Sequence, residues 1–133
     1  MSEGAGTGGP GPGLEAVLDA YVAAWNEGDP RRRQALLEGA LADEAAFVGP
    51  TGTFRGRDGV AGLIEGIRSR LPGAEVVRSG PAEHDGDIRF GWQVRSAGGG
   101  ILMQGADRVV LAADGRLLLV EMHTGPPAAT PGS

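Results

Sequence analysis

The sequence predicts an α+β fold, with three helices packed on one face of a mostly antiparallel sheet. Three observations predict it. Apolar residues recur at helical spacing in the first half, apolar and polar residues alternate in the second, and turn dipeptides stand where strands must reverse.

Leu14, Val17, Leu18, Tyr21, Val22 and Trp25 form one apolar stripe on a first helix that Gly28 closes. Asp29-Pro30 then reads as a helix start, because the carboxylate caps free amides and the proline sits where no donor is needed. That second helix carries Leu36, Leu37 and Leu41. Its first turn holds Arg31, Arg32 and Arg33, expected to be solvated. Ala45 to Val48 is a short strand, followed by the turn Gly49-Pro50-Thr51-Gly52. A third helix follows Asp58, with Val60, Leu63, Ile64, Ile67 and Leu71 on one face, and Pro72-Gly73 stops it. Glu75 to Glu83 is a weak strand ending near a turn at Asp85-Gly86, with His84 solvated at its tip. Ile88, Phe90, Trp92 and Val94 alternate with polar or small residues, as in a half-buried strand. After Gly98-Gly99-Gly100, Ile101 to Ala112 and Leu117 to Thr124 form a hairpin across Asp114-Gly115.

Composition bounds the function. A chain of 133 residues suffices for one core. Its ends, 1–13 and 125–133, are rich in glycine and proline and read as disordered tails around a domain spanning 14–124. With no cysteine there is no disulfide, thiolate metal site or thiol nucleophile. Seventeen acidic against twelve basic residues argue against a nucleic-acid surface. No signal peptide or membrane span is indicated, so a cytoplasmic protein is expected. Two histidines and scattered carboxylates show no metal-ligand spacing, and no glycine-rich stretch forms a phosphate cradle.

Two polar residues are aimed at the interior. Asp107 shares the apolar parity of Ile101, Met103, Val109 and Leu111, and a lone carboxylate there should gain proton affinity unless a cation or several donors meet it. Pairing with an arginine is the competing, purely structural role. Tyr21, on the buried stripe of the first helix, needs a partner for its hydroxyl. On the last strand Leu118, Val120 and Met122 share the apolar parity, which leaves Glu121 and His123 on the other face.

Several short motifs, in order, then carry a resemblance: Tyr21-Val22-Ala23-Ala24-Trp25-Asn26-Glu27-Gly28-Asp29, Leu41-Ala42-Asp43-Glu44-Ala45, Gly49-Pro50-Thr51-Gly52 with Gly56-Arg57, Gly105-Ala106-Asp107-Arg108, and Asp114-Gly115-Arg116-Leu117. Over nearly all of 14–124 the chain resembles the NTF2-like superfamily, in its SnoaL-like and ketosteroid isomerase-like branches. The resemblance implies a cone-shaped, cystatin-like fold with a strongly curved sheet around a pocket for a small hydrophobic molecule. In ketosteroid isomerases a tyrosine and a protonated aspartic acid hold the enolate oxygen while another aspartate moves the proton. Tyr21 and Asp107 stand at the first two positions. The third residue would precede Pro50, where this chain has Gly49. Epoxide hydrolase members need an Arg-x-Asp on the strand of Asp107, and Gly105 stands where that arginine would be.

The expected function is therefore an isomerase- or cyclase-type enzyme for a polyketide-like, terpenoid-like or steroid-like ligand, with Tyr21 and Asp107 stabilising an enolate-like oxygen. Trp25, Phe47, Gly49, Phe90, Trp92, Met103, Val120 and Met122 are expected to line the pocket, with water in the space left by Gly49, or a substrate group, replacing the lost base. Neither a metal nor a cofactor is called for. The alternative is a non-catalytic binding or assembly module, favoured if the pocket is collapsed with Asp107 paired to an arginine. A homodimer is expected through the outer sheet face, whose parity contains Leu102, Val110, Leu117 and Leu119.

Overall fold

A computed structural model describes residues 13–124. The first apolar stripe forms α1 (Leu14–Asn26), which buries Val17, Leu18, Tyr21 and Ala24. Asn26 ends it productively: its side-chain amide donates to the Val76 carbonyl and accepts from the Val76 amide, each at 2.8 Å. Helix α2 (Pro30–Ala40) starts as its sequence implies, with the Asp29 carboxylate accepting from the Arg31 amide at 2.9 Å. It ends one residue earlier than expected, since Leu41 already belongs to β1 (Leu41–Gly49). Strand β1 is thus longer than Ala45 to Val48 and turns through Pro50-Thr51 into β2 (Gly52–Arg55). Helix α3 (Gly56–Arg70) begins before Asp58, which lies in its first turn.

The weak strand expected over Glu75 to Glu83 is two strands, β3 (Glu75–Arg78) and β4 (Glu83–Asp85), both paired to β5 (Asp87–Arg95). His84 is exposed on β4. The final hairpin is β6 (Ile101–Leu111) and β7 (Leu117–Thr124). Gly115 adopts φ +91°, which a glycine reaches without steric cost, and its amide donates to the Ala112 carbonyl. The sheet runs β2-β1-β7-β6-β5-β3 with β4 beside β5, and only β1 and β7 are parallel. It is curved and unclosed, and the helices cover its concave face, as the α+β cone requires.

Three expectations are corrected. Arg33 is not solvated: it is 3% exposed, its Nε and Nη2 donate to the Glu27 carbonyl, and Nη1 meets Glu65 at 2.9 Å. Arg68 likewise donates to the Trp25 carbonyl, so two arginines serve the end of α1, whose own last turn has no basic residue. Leu117 is fully buried rather than outward, because the register steps from Val110↔Leu119 to Leu111↔Leu117 and makes Leu118 the extra residue of a bulge. Ile101 is 56% exposed rather than inward, because a second bulge at Leu102 separates it from Met103. The tails lie outside the described residues except for Gly13.

Candidate active site

A cavity of about 70 Å³ lies between α1, the end of α3 and the concave face of the sheet. Its sheet side is set by strand register. Asp107 on β6 stands between Phe90 on β5 and Met122 on β7, and the next positions pair Trp92 with Gly105 and Val94 with Met103. Helix α1 lays Tyr21, Val22 and Trp25 over that row, and Phe47 closes the β1 side. Val22, Ile67, Leu71 and Val76, all half-buried, complete the lining on the side of α1, α3 and β3. The double hydrogen bond from Asn26 to Val76 fixes α1 against β3 on this side.

The aromatic rings hold one another. Tyr21 meets Trp25 and Phe90 edge-on at 6.4 and 6.3 Å between centroids, and Phe47 lies 6.1 Å from Trp25.

Asp107 is 4% exposed, and its Oδ1 accepts a hydrogen bond from Trp92 Nε1 at 2.9 Å. No arginine pairs with it among the described residues. Burial pushes its carboxyl up to about 7, against the smaller opposing pulls of the Trp92 N–H and of His123 on the outer face of β7. Tyr21 is 2% exposed and its hydroxyl has no hydrogen-bond partner among the described residues. Burial, then the neighbouring Asp107, hold its ionisation well above the ordinary tyrosine value; Trp25 relieves part of this without reaching hydrogen-bond geometry. The cavity is therefore almost wholly apolar, and the two residues that carry the buried hydroxyl and the buried carboxyl both belong to its lining.

Of the side chains expected to line it, Trp25, Phe47, Phe90, Trp92, Met103 and Met122 do so with Tyr21 and Asp107. Val120 is buried in the core but contributes no wall. Gly49 is also outside the wall, and a side chain there would come within 2.9 Å of the Phe47 ring. The Phe47 ring packs into the space beside Gly49. Val76 and Val94 also line the cavity without having been singled out. Their strand parity was the available signal, but only the packing of α1 and α3 on β3 and β5 makes it a wall. Among the described residues, no three His, Cys, Asp or Glu side chains cluster in a way that could hold a metal ion. No described helix is long and apolar enough to cross a membrane.

The model of the SnoaL-like domain matches residues 18–120. A SnoaL-like family protein from Agrobacterium tumefaciens strain C58, provisionally named an isomerase, is 32% identical, with a TM-score of 0.77 over 85% of this chain and 97% of that one. An NTF2-like protein of unknown function from Exiguobacterium sp. 255-15 is 22% identical, with a TM-score of 0.65 over 82% and 98% of the two chains. A de novo designed protein with a curved β-sheet shares the fold at 16% identity, with a TM-score of 0.61 over 85% of each chain. The last two comparisons speak to the fold alone. No curated protein matches the chain. With the cone, the Tyr21–Asp107 pocket and a family match across most of its length, the chain belongs to the SnoaL-like family of the NTF2-like superfamily.

Proposed function

We propose that this protein is an isomerase- or cyclase-type enzyme acting on a small, neutral, apolar carbonyl compound. Tyr21 holds the oxygen that becomes enolate-like, and Asp107 supplies a second hydrogen bond or the proton itself. The observation that carries this reading is that a buried hydroxyl without a partner and a buried carboxyl without a cation, among the described residues, belong to two side chains lining one apolar cavity. A buried donor without a partner costs about 1–3 kcal/mol, which a purely structural core would avoid, and a ligand oxygen would satisfy it. The provisional isomerase name of the Agrobacterium relative supports the same reaction class.

Ligand chemistry follows from the lining. No cationic side chain lines the cavity among the described residues, and an anionic ligand would meet Asp107, so a neutral compound with one oxygen at its leading end fits best. About 70 Å³ exceeds the roughly 10–15 Å³ that admits one water, yet it is small for several fused rings. A polyketide-like, terpenoid-like or steroid-like ligand would extend outward past the half-buried Leu71 and Val76. The chain has no lysine, so an iminium formed on a lysine amine is not an available route.

The proton must move without a base at Gly49. Asp107 supports that role, because a group with a midpoint near the working pH both takes and returns a proton efficiently. A hydroxyl aimed at developing negative charge contributes about 3–4 kcal/mol in comparable oxyanion sites. The proposal includes a homodimer through the outer sheet face, where Leu102 and Val110 are exposed.

The test is optical titration of a bound naphthol, a mimic of an enolate, across pH. Easier ionisation when bound than when free, lost in Tyr21→Phe, supports the enzyme. A naphthol that fails to bind or stays neutral when bound favours the non-catalytic ligand-binding module.

A further inference from the structure

The Trp92 indole makes one polar contact, and strand register explains how. Trp92 stands directly opposite Gly105 across β5 and β6, and Asp107 lies two residues further along β6 on the same face. Directly opposed side chains in such a pair have Cβ atoms about 5 Å apart and pack against each other, and at 105 glycine presents no side chain to the indole. Glycine there leaves the face of β6 open. The indole reaches diagonally past it, and Nε1 donates to Oδ1 of Asp107 at 2.9 Å in a buried hydrogen bond. No other hydrogen bond to the Asp107 carboxyl is present among the described residues, so the indole is that carboxyl's single polar anchor.

We infer that Trp92 and Gly105 are a positioning pair: the glycine makes the space, and the indole N–H engages one oxygen of Asp107, leaving the other oxygen to meet the ligand beside the Tyr21 hydroxyl. The inference rests on the proposed role of Asp107. Trp92 does not itself exchange a proton; it sets which oxygen of the acid does. Its N–H also favours the charged carboxylate, against the burial imposed by Phe90, Met122 and the helices. The other ionisable groups facing Asp107 are Tyr21 from α1, whose ionisation lies far above neutral pH, and His123 across β7, exposed on the outer face. The pair gives Gly105 a use that its small size alone does not suggest.

The experiment is a carboxyl ¹³C NMR titration of the aspartate-labelled, ligand-free full chain. Replacing Trp92 by benzothienylalanine keeps the shape of the indole and removes its N–H, so loss of the fold does not confuse the result. The Asp107 midpoint should rise by about one pH unit or more, the equivalent of losing a hydrogen bond to a charged group. Gly105→Val, which places a branched side chain opposite the indole, should raise it in the same direction. A midpoint unmoved by the isostere would overturn the inference. The two proposals fail separately. If the midpoint moves but wild-type protein does not ionise bound naphthol, the positioning pair stands and the enolate reading falls; naphthol ionisation with an unmoved midpoint gives the reverse.

Discussion

The buried Tyr21 hydroxyl, without a partner among the described residues, is a cost to the folded state that the proposed function has a ligand oxygen relieve. Tyr21→Phe should therefore leave the free protein as stable as wild type or more so, by up to roughly 1–3 kcal/mol in urea unfolding, while abolishing naphthol ionisation. A clear destabilisation would mean that the hydroxyl has a partner. Asp107 behaves differently because its proton affinity rises on folding, from 3.8 to about 7. Between these values the folded state holds a proton that the unfolded state has released, so stability falls as pH rises through that window and levels off above it. The full effect is on the order of 4 kcal/mol. Asp107→Asn should remove this slope between pH 4 and 7 and leave the protein relatively more stable than wild type at pH 8. Parallel pH dependences in the two proteins would show that Asp107 is not held neutral by burial.

Among elements, the junction of α1 with β3 has the largest consequence for the site. The Asn26 side chain pairs both backbone groups of Val76, a residue of the cavity wall. Asn26→Ala leaves an amide and a carbonyl unpaired in a half-buried place and should cost about 1–3 kcal/mol. Naphthol affinity should fall with it, since Val22 and Val76 lose their fixed separation. Unchanged affinity with lowered stability would mean that α1 is held by its other contacts alone. The bulges matter at the same scale. By shifting β7 one residue against β6, the Leu118 bulge seats Leu117 beneath the helices, where complete burial of a leucine contributes roughly 1.5–3 kcal/mol.

For the whole molecule, the outer sheet face is less uniformly apolar than strand parity implies. Val110 lies at one end and Leu102 at the other, 37% and 51% exposed, and between them Arg108 meets Glu121 at 2.9 Å and Asp87 at 3.8 Å. A homodimer on this face would combine apolar ends with a charged middle, so its stability should weaken with added salt. Sedimentation velocity should show a dimer that Val110→Glu dissociates. A monomeric wild type at micromolar concentration would remove the dimer from the proposal.

The sequence by itself determined the fold class, the helix faces and the inward aim of Tyr21 and Asp107, because each follows from a local period of 3.6 or 2 residues or from a turn that glycine or proline imposes. Trp25, Phe90, Trp92, Met103 and Met122 stand along the cavity because those periods turn them inward. What only the tertiary structure decided is whatever depends on register between distant strands. The bulges at Leu102 and Leu118 reverse the facing of Ile101 and Leu117, which no alternation within one strand reveals. Arg33 is buried because a carbonyl at the end of α1 and Glu65 of α3 converge on it, not because of its neighbours in the chain. The Phe47 ring beside Gly49 and the indole passing Gly105 to Asp107 are likewise set by how side chains pack across the sheet. Local spacing chooses the face a residue occupies; the partner waiting on that face is chosen by the rest of the chain.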